Sequence, residues 1–274
     1  GRYVGGIAGY ADGKGSVTGC SVSGQVDVKP TYFTSYLGGI VGRSEGDISD
    51  CVNEAVIDIS NDSSVATYVA GIVGYSLGDI SECKNEQRIT TDYNRGIHYV
   101  AGISCYAKLI QDCKNNVFIE SNSDGYCDIV VYGIGSAKRD IIDCSNIANI
   151  SNTTGQWSEI YTYGIGCAEN NITRCVNIAN LYMDTFSYTS SIAYGIGTAN
   201  KIEYCYNTGD VDNYGIGTAT DSVYRCYNTG TCRVGILSNY QECFDVSKSY
   251  SNNTFMSEDS IRYGCYYITY PFYI

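Results

Sequence analysis

The dipeptide Gly-Ile returns at near-constant spacing along almost the whole chain, and no other feature restricts the possible folds so severely. Its isoleucines are Ile7, Ile40, Ile72, Ile103, Ile134, Ile165, Ile196, Ile216 and Ile236, at intervals of 33, 32, 31, 31, 31, 31, 20 and 20 residues. Cysteines keep step with it: Cys20, Cys51, Cys83, Cys113, Cys144, Cys175, Cys205, Cys226 and Cys243. Two residues after seven of them stands an asparagine, Asn53, Asn85, Asn115, Asn146, Asn177, Asn207 and Asn228. Three residues before the first eight stands a β-branched aliphatic, from Val17 and Ile48 to Ile202 and Val223. A unit this short cannot bury its apolar face alone, so it must stack on its neighbours.

Within the unit the apolar residues alternate, as in Val56-Ile57-Asp58-Ile59, and Gly, Asn, Asp and Ser separate the runs. That is strand periodicity, with β-branched and aromatic residues where strands favour them. Identical residues at identical places in successive short strands define an all-β, right-handed parallel β-solenoid of about nine coils, whose strands lie about 4.8 Å apart. Gly-Ile is expected to supply a first strand, Ile-x-x-Cys-x-Asn a second, and the following Val/Ile-x-Ile/Val a third. Cys51, Cys83, Cys113, Cys144 and Cys175 then form one inward ladder, and Asn53, Asn85, Asn115, Asn146 and Asn177 a second at a corner. The 20-residue coils keep every column; the longer ones insert about eleven residues rich in turn signals, such as Asn94-Arg95-Gly96 and Ser123-Asp124-Gly125. The solenoid should therefore be wide at its N-terminal end and taper toward the C-terminus. Residues 1–248 read as repeats. Residues 249–274, ending in Tyr270-Pro271-Phe272-Tyr273-Ile274, read as an aromatic cap over the exposed core of the last coil. With no such cap before Tyr3, a fragment of a longer protein is expected.

Gly6-Ile7-Ala8-Gly9, Gly39-Ile40-Val41-Gly42 and Gly71-Ile72-Val73-Gly74, each followed by Ile/Val-x-x-Cys-x-Asn or its near equivalent, resemble the GLUG motif. The likeness runs to Cys243, with divergent later coils (Ile103-Ser104-Cys105). It implies a bacterial secreted or cell-surface repeat protein of adhesin-like type and brings no catalytic residues with it.

Candidate chemistry is sparse. The 14 cysteines would ordinarily suggest disulfides, but stacked neighbours in one ladder sit farther apart than a disulfide spans. Buried free thiols are the expectation, and no C-x₂-C pair suggests a metal site. Acids recur one and four residues before the ladder cysteine: Asp50, Glu82, Asp112 and Asp143, with Asp47, Asp79 and Asp140. They read as a solvated acidic face, with weak Ca²⁺ binding at Asp47, Asp50, Asp79 and Glu82 as the alternative. His98, the single histidine, reads as an ordinary edge residue. A polysaccharide lyase or glycoside hydrolase on the same fold is the competing function, but its carboxylates would have to form a unique pair rather than a series. Aromatics of the insertions, Tyr93, Tyr126, Trp157 and Tyr188 above all, are the candidate contacts for a glycan or a host protein. A net charge of −12 without Lys/Arg clusters speaks against nucleic acid, and no apolar run is long enough for a membrane helix. The expectation is a monomeric, non-catalytic extracellular module, spacer or adhesive, without a cofactor.

Overall fold

A computed structural model of the chain describes residues 2–13, 15–28, 33–61, 65–155, 158–185, 190–236 and 240–245. It is a parallel β-solenoid without helices, built from two continuous sheets of twenty and fifteen strands among the described residues. The strand pairings among the described residues are parallel, and one aliphatic column runs in register from coil to coil: Val17 to Ile48, Ile48 to Ile80, Ile80 to Ile110, and on to Val223. Full-width turns number about six rather than nine, because the last repeat markers belong to the shortened coils that lack the insertion. The proposed cap, 249–274, lies outside the described residues.

Two apolar interiors run along the axis. One is lined by the Gly-Ile isoleucines, the Ile48–Ile80–Ile110 column and the cysteines. The other fills the insertion half with Leu37, Ile57, Ile59, Val69 and their equivalents. Ile40, Ile72, Ile103, Ile134, Ile165, Ile196 and Ile216 are fully buried, whereas Ile7 on the first coil is half exposed. In the narrow coils Gly-Ile ends a strand, Tyr214–Ile216 and Val234–Ile236, but in the wide coils it is not itself a strand. It forms the corner between strands such as Ser35–Gly38 and Val41–Ser44, with the isoleucine turned inward. The insertion extends the strands on both sides of it, and in Ile89–Ala101 and Ile119–Tyr132 it is strand throughout.

The asparagine ladder separates the two interiors. Asn53 Nδ2 donates to Asn85 Oδ1 (2.8 Å), Asn85 to Asn115 (3.0 Å), Asn115 to Asn146 (2.8 Å) and Asn146 to Asn177 (3.0 Å). Asn177, Asn207 and Asn228 continue it, and Asp245 accepts the last bond. The second amide proton goes to the carbonyl two residues on, as Asn115 does to Val117. A carbonyl only accepts, so the orientation of the amide is fixed. Each amide lies against the glycine of a Gly-Ile corner. A methyl group at Gly102 would stand 2.6 Å from the Asn115 amide carbon, closer than packed atoms approach. That is why glycine and asparagine repeat together.

The cysteine ladder is buried from Cys51 to Cys243, and the described cysteines are free thiols. Each donates to the carbonyl two residues earlier, Cys83 to Ser81 and Cys113 to Gln111 at 3.1 Å. The Cys51 S–H held against the neighbouring Cys83 thiol, together with burial, pushes Cys51 above its ordinary pKa, so it stays protonated. The residue before each cysteine is left-handed, with φ between 48° and 63° from Gly19 through Asp50, Glu82 and Asp112 to Glu242. This conformation costs a residue with a Cβ roughly 1–2 kcal/mol, least for Asp and Asn.

Two outcomes follow from this geometry. Asn115→Ala leaves a donor on Asn85 and an acceptor on Asn146 buried without partners, so urea denaturation should show a loss of about 3 kcal/mol; a loss under about 0.5 kcal/mol would remove the ladder from the list of stabilising elements. Glu82→Gly relieves the left-handed strain and should raise stability by about 1 kcal/mol in the same assay.

Candidate functional site

The strongest grouping of functional side-chain types lies on the outside of the Gly-Ile corner. Because the isoleucine turns inward, outward residues of the two flanking strands converge there. On one side Tyr3, Tyr36, Tyr68 and Tyr99 stack coil upon coil, with centroids 5.7, 5.0 and 4.7 Å apart and planes within 17°. Across the corner stand Tyr10, Arg43, Tyr75 and Tyr106, the last two stacked at 4.9 Å. The rows meet edge to face, Tyr36 on Tyr75 at 5.5 Å and Tyr68 on Tyr75 at 6.0 Å. The Arg43 guanidinium lies about 6 Å from the Tyr10, Tyr36 and Tyr75 rings, within cation–π range, and pairs with Glu45 at 3.7 Å.

Farther along, the tyrosines change place. Tyr132, Tyr163, Tyr194 and Tyr214 stack at 5.2, 5.3 and 5.1 Å, in the column that Gly38, Ala70 and Ala101 occupy earlier. Small residues beneath the first rows thus give way to a ring, and Tyr132 and Tyr163 are consequently buried. Desolvation pushes Tyr68 up to about 12, so this phenol stays neutral near pH 7.

The aromatics expected at the insertion edge divide. Tyr126 is 67% exposed, but Tyr93 is fully buried, its ring stacked on His98 at 3.7 Å. Trp157 and Tyr188 lie outside the described residues. His98 is likewise not an edge residue: it is completely buried. Its Nε2–H donates to the Arg95 carbonyl (2.6 Å), which leaves Nδ1 to accept from the Thr67 hydroxyl (2.6 Å). Strand alternation gave no warning of this, since a histidine fits either face.

The acids hold the turns. Asp47 Oδ1 accepts the Asp79 N–H of the next coil (2.8 Å), and Asp79 pairs with Lys108 (3.1 Å). Asp50 and Glu82 occupy the left-handed column, and Arg174, a sign change in that column, grips Asp143 with two bonds of 2.6 Å. Among the described residues no group of three or more His, Cys, Asp or Glu is placed to hold a metal ion.

Fold and surface define a parallel β-solenoid repeat protein. The family model of the GLUG motif matches residues 1–28, and the solenoid fits a GLUG repeat protein. No curated protein and no solved structure matches the chain.

The buried imidazole gives the fold a defined acid response. Burial holds His98 down at about 4, against about 6.5 in an unfolded chain. Between these values the unfolded chain binds a proton that the folded one does not, so this contribution is intact above pH 6.5, falls as the pH drops and levels off below 4. The full loss is on the order of 3 kcal/mol. His98→Gln should flatten the difference between urea midpoints at pH 7 and pH 4.5 relative to the native chain. An unchanged difference would assign the acid limb to other groups.

Proposed function

We propose that the chain is a non-catalytic repeat module of a larger extracellular protein, a stiff spacer that also presents an adhesive tyrosine strip to a glycan or protein partner. The observation that supports this reading is the outward stack of Tyr3, Tyr36, Tyr68 and Tyr99 facing Tyr10, Arg43, Tyr75 and Tyr106. The two main apolar cores lie inside the coils, and these rings stand outside them, with Tyr68 and Tyr99 covering a smaller buried cluster of Ala70, Ala101 and Cys105. Tyrosine combines a broad apolar face with a hydroxyl and loses little entropy on contact, which suits it to recognition surfaces. Repetition along the axis also multiplies weak contacts to a partner that is itself repetitive.

The test is binding to arrayed glycans and to extracellular-matrix proteins, followed by substitution. Tyr10→Ala and Tyr106→Ala should each weaken a true ligand about tenfold or more, with the melting temperature nearly unchanged. Tyr126→Ala, on the insertion edge, should leave the same ligand unaffected. If only Tyr126→Ala weakens binding, the contact lies on that edge. If no ligand is found, the spacer role stands alone, and release of new reducing or unsaturated ends from a polysaccharide would overturn the non-catalytic reading.

A further inference from the structure

The interior of the insertion half is apolar at both ends and polar in the middle. The inward column that begins Val28, Ile59 continues as Thr91, Ser121 and Asn152 before returning to Met183. The next inward positions along the same strands are Tyr93, Ser123 and Thr154. All six side chains from Thr91 to Thr154 are uncharged and at most 2% exposed.

Their hydrogen bonds do not close. Thr91 donates to Ser121 (3.0 Å), and Ser121 has its own proton to place. Its register partner Asn152 donates to Thr162 (3.2 Å), but Asn152 Oδ1 accepts nothing. Thr154 Oγ1 has no partner either, and the Tyr93 hydroxyl faces Thr67 and Thr91 without a bond of good geometry. Three of the five buried polar side-chain atoms left without a partner among the described residues therefore fall in this one stretch. Native interiors rarely leave such atoms bare, and buried water is the usual remedy where several neutral donors and acceptors face one another.

We infer that these coils enclose an internal water-binding site, in which ordered water joins Asn152 Oδ1 and Thr154 Oγ1. The occupant is water rather than an ion, because the six side chains are neutral. Threonine and valine have nearly the same shape, so Thr154→Val separates a wet site from a dry one by the sign of its effect. With water bound, valine strands it and the melting temperature should fall by about 3 °C. In a dry site the same change removes an unsatisfied hydroxyl, and a higher melting temperature would overturn the inference. Magnetisation transfer from long-lived water to the amides of residues 152–154 in the native protein provides a second measurement that needs no variant. Transfer is the expected result; its absence, with the amides protected from exchange, would equally overturn the site.

Discussion

The contact between an asparagine amide and a corner glycine is the constraint from which the rest of the solenoid follows. The amide reaches its stacked neighbour only if the two coils are in register, and it fits only where the adjacent residue has no side chain. Register in turn keeps the ladder cysteines and the inward aliphatics before them in their columns, since a slip of one residue would turn each inward side chain out. Outside that corner the coil is free to vary. Eleven residues come and go at the insertion without disturbing Asn177, Asn207 and Asn228, which keep bonds of 2.7–3.0 Å into the narrow coils.

The same corner generates the outer surface. Turning the isoleucine inward brings outward side chains of two strands together, and tyrosine fills the space in either of two columns. Stacked faces are satisfied by one another, so what the strip offers a partner is the ring edges, the hydroxyls and the Arg43 guanidinium. A partner of the kind proposed would meet these edges over several coils rather than in one pocket.

Spacing made the solenoid, the cysteine and asparagine ladders and the widened end legible in the sequence, because a repeat advertises its own register. What spacing cannot convey is how two strands fold against each other around a corner. Tyr36 and Tyr75 are 39 positions apart and belong to different columns, so their contact was invisible until the corner glycines brought the strands together. The burial of Tyr93 and His98 escaped for a related reason. The insertion alternates polar residues on both faces, and neither hydropathy nor neighbours distinguished inside from outside. The left-handed column did leave a trace: Gly19 heads a series of Asp50, Asp112 and Asp143, the residues that tolerate positive φ best.

The asparagine ladder also has a direction. Every amide donates toward the C-terminal end and accepts from the N-terminal side, and the second bond to a backbone carbonyl prevents any one of them from turning over alone. Their dipoles consequently add along the axis, as peptide dipoles do in a helix, with the positive end at Asn228. Asp245 sits at that end: a carboxylate, which accepts the final N–H and meets the accumulated positive potential with a negative charge. The rod is therefore polar as well as repetitive, and its two ends are electrostatically distinct.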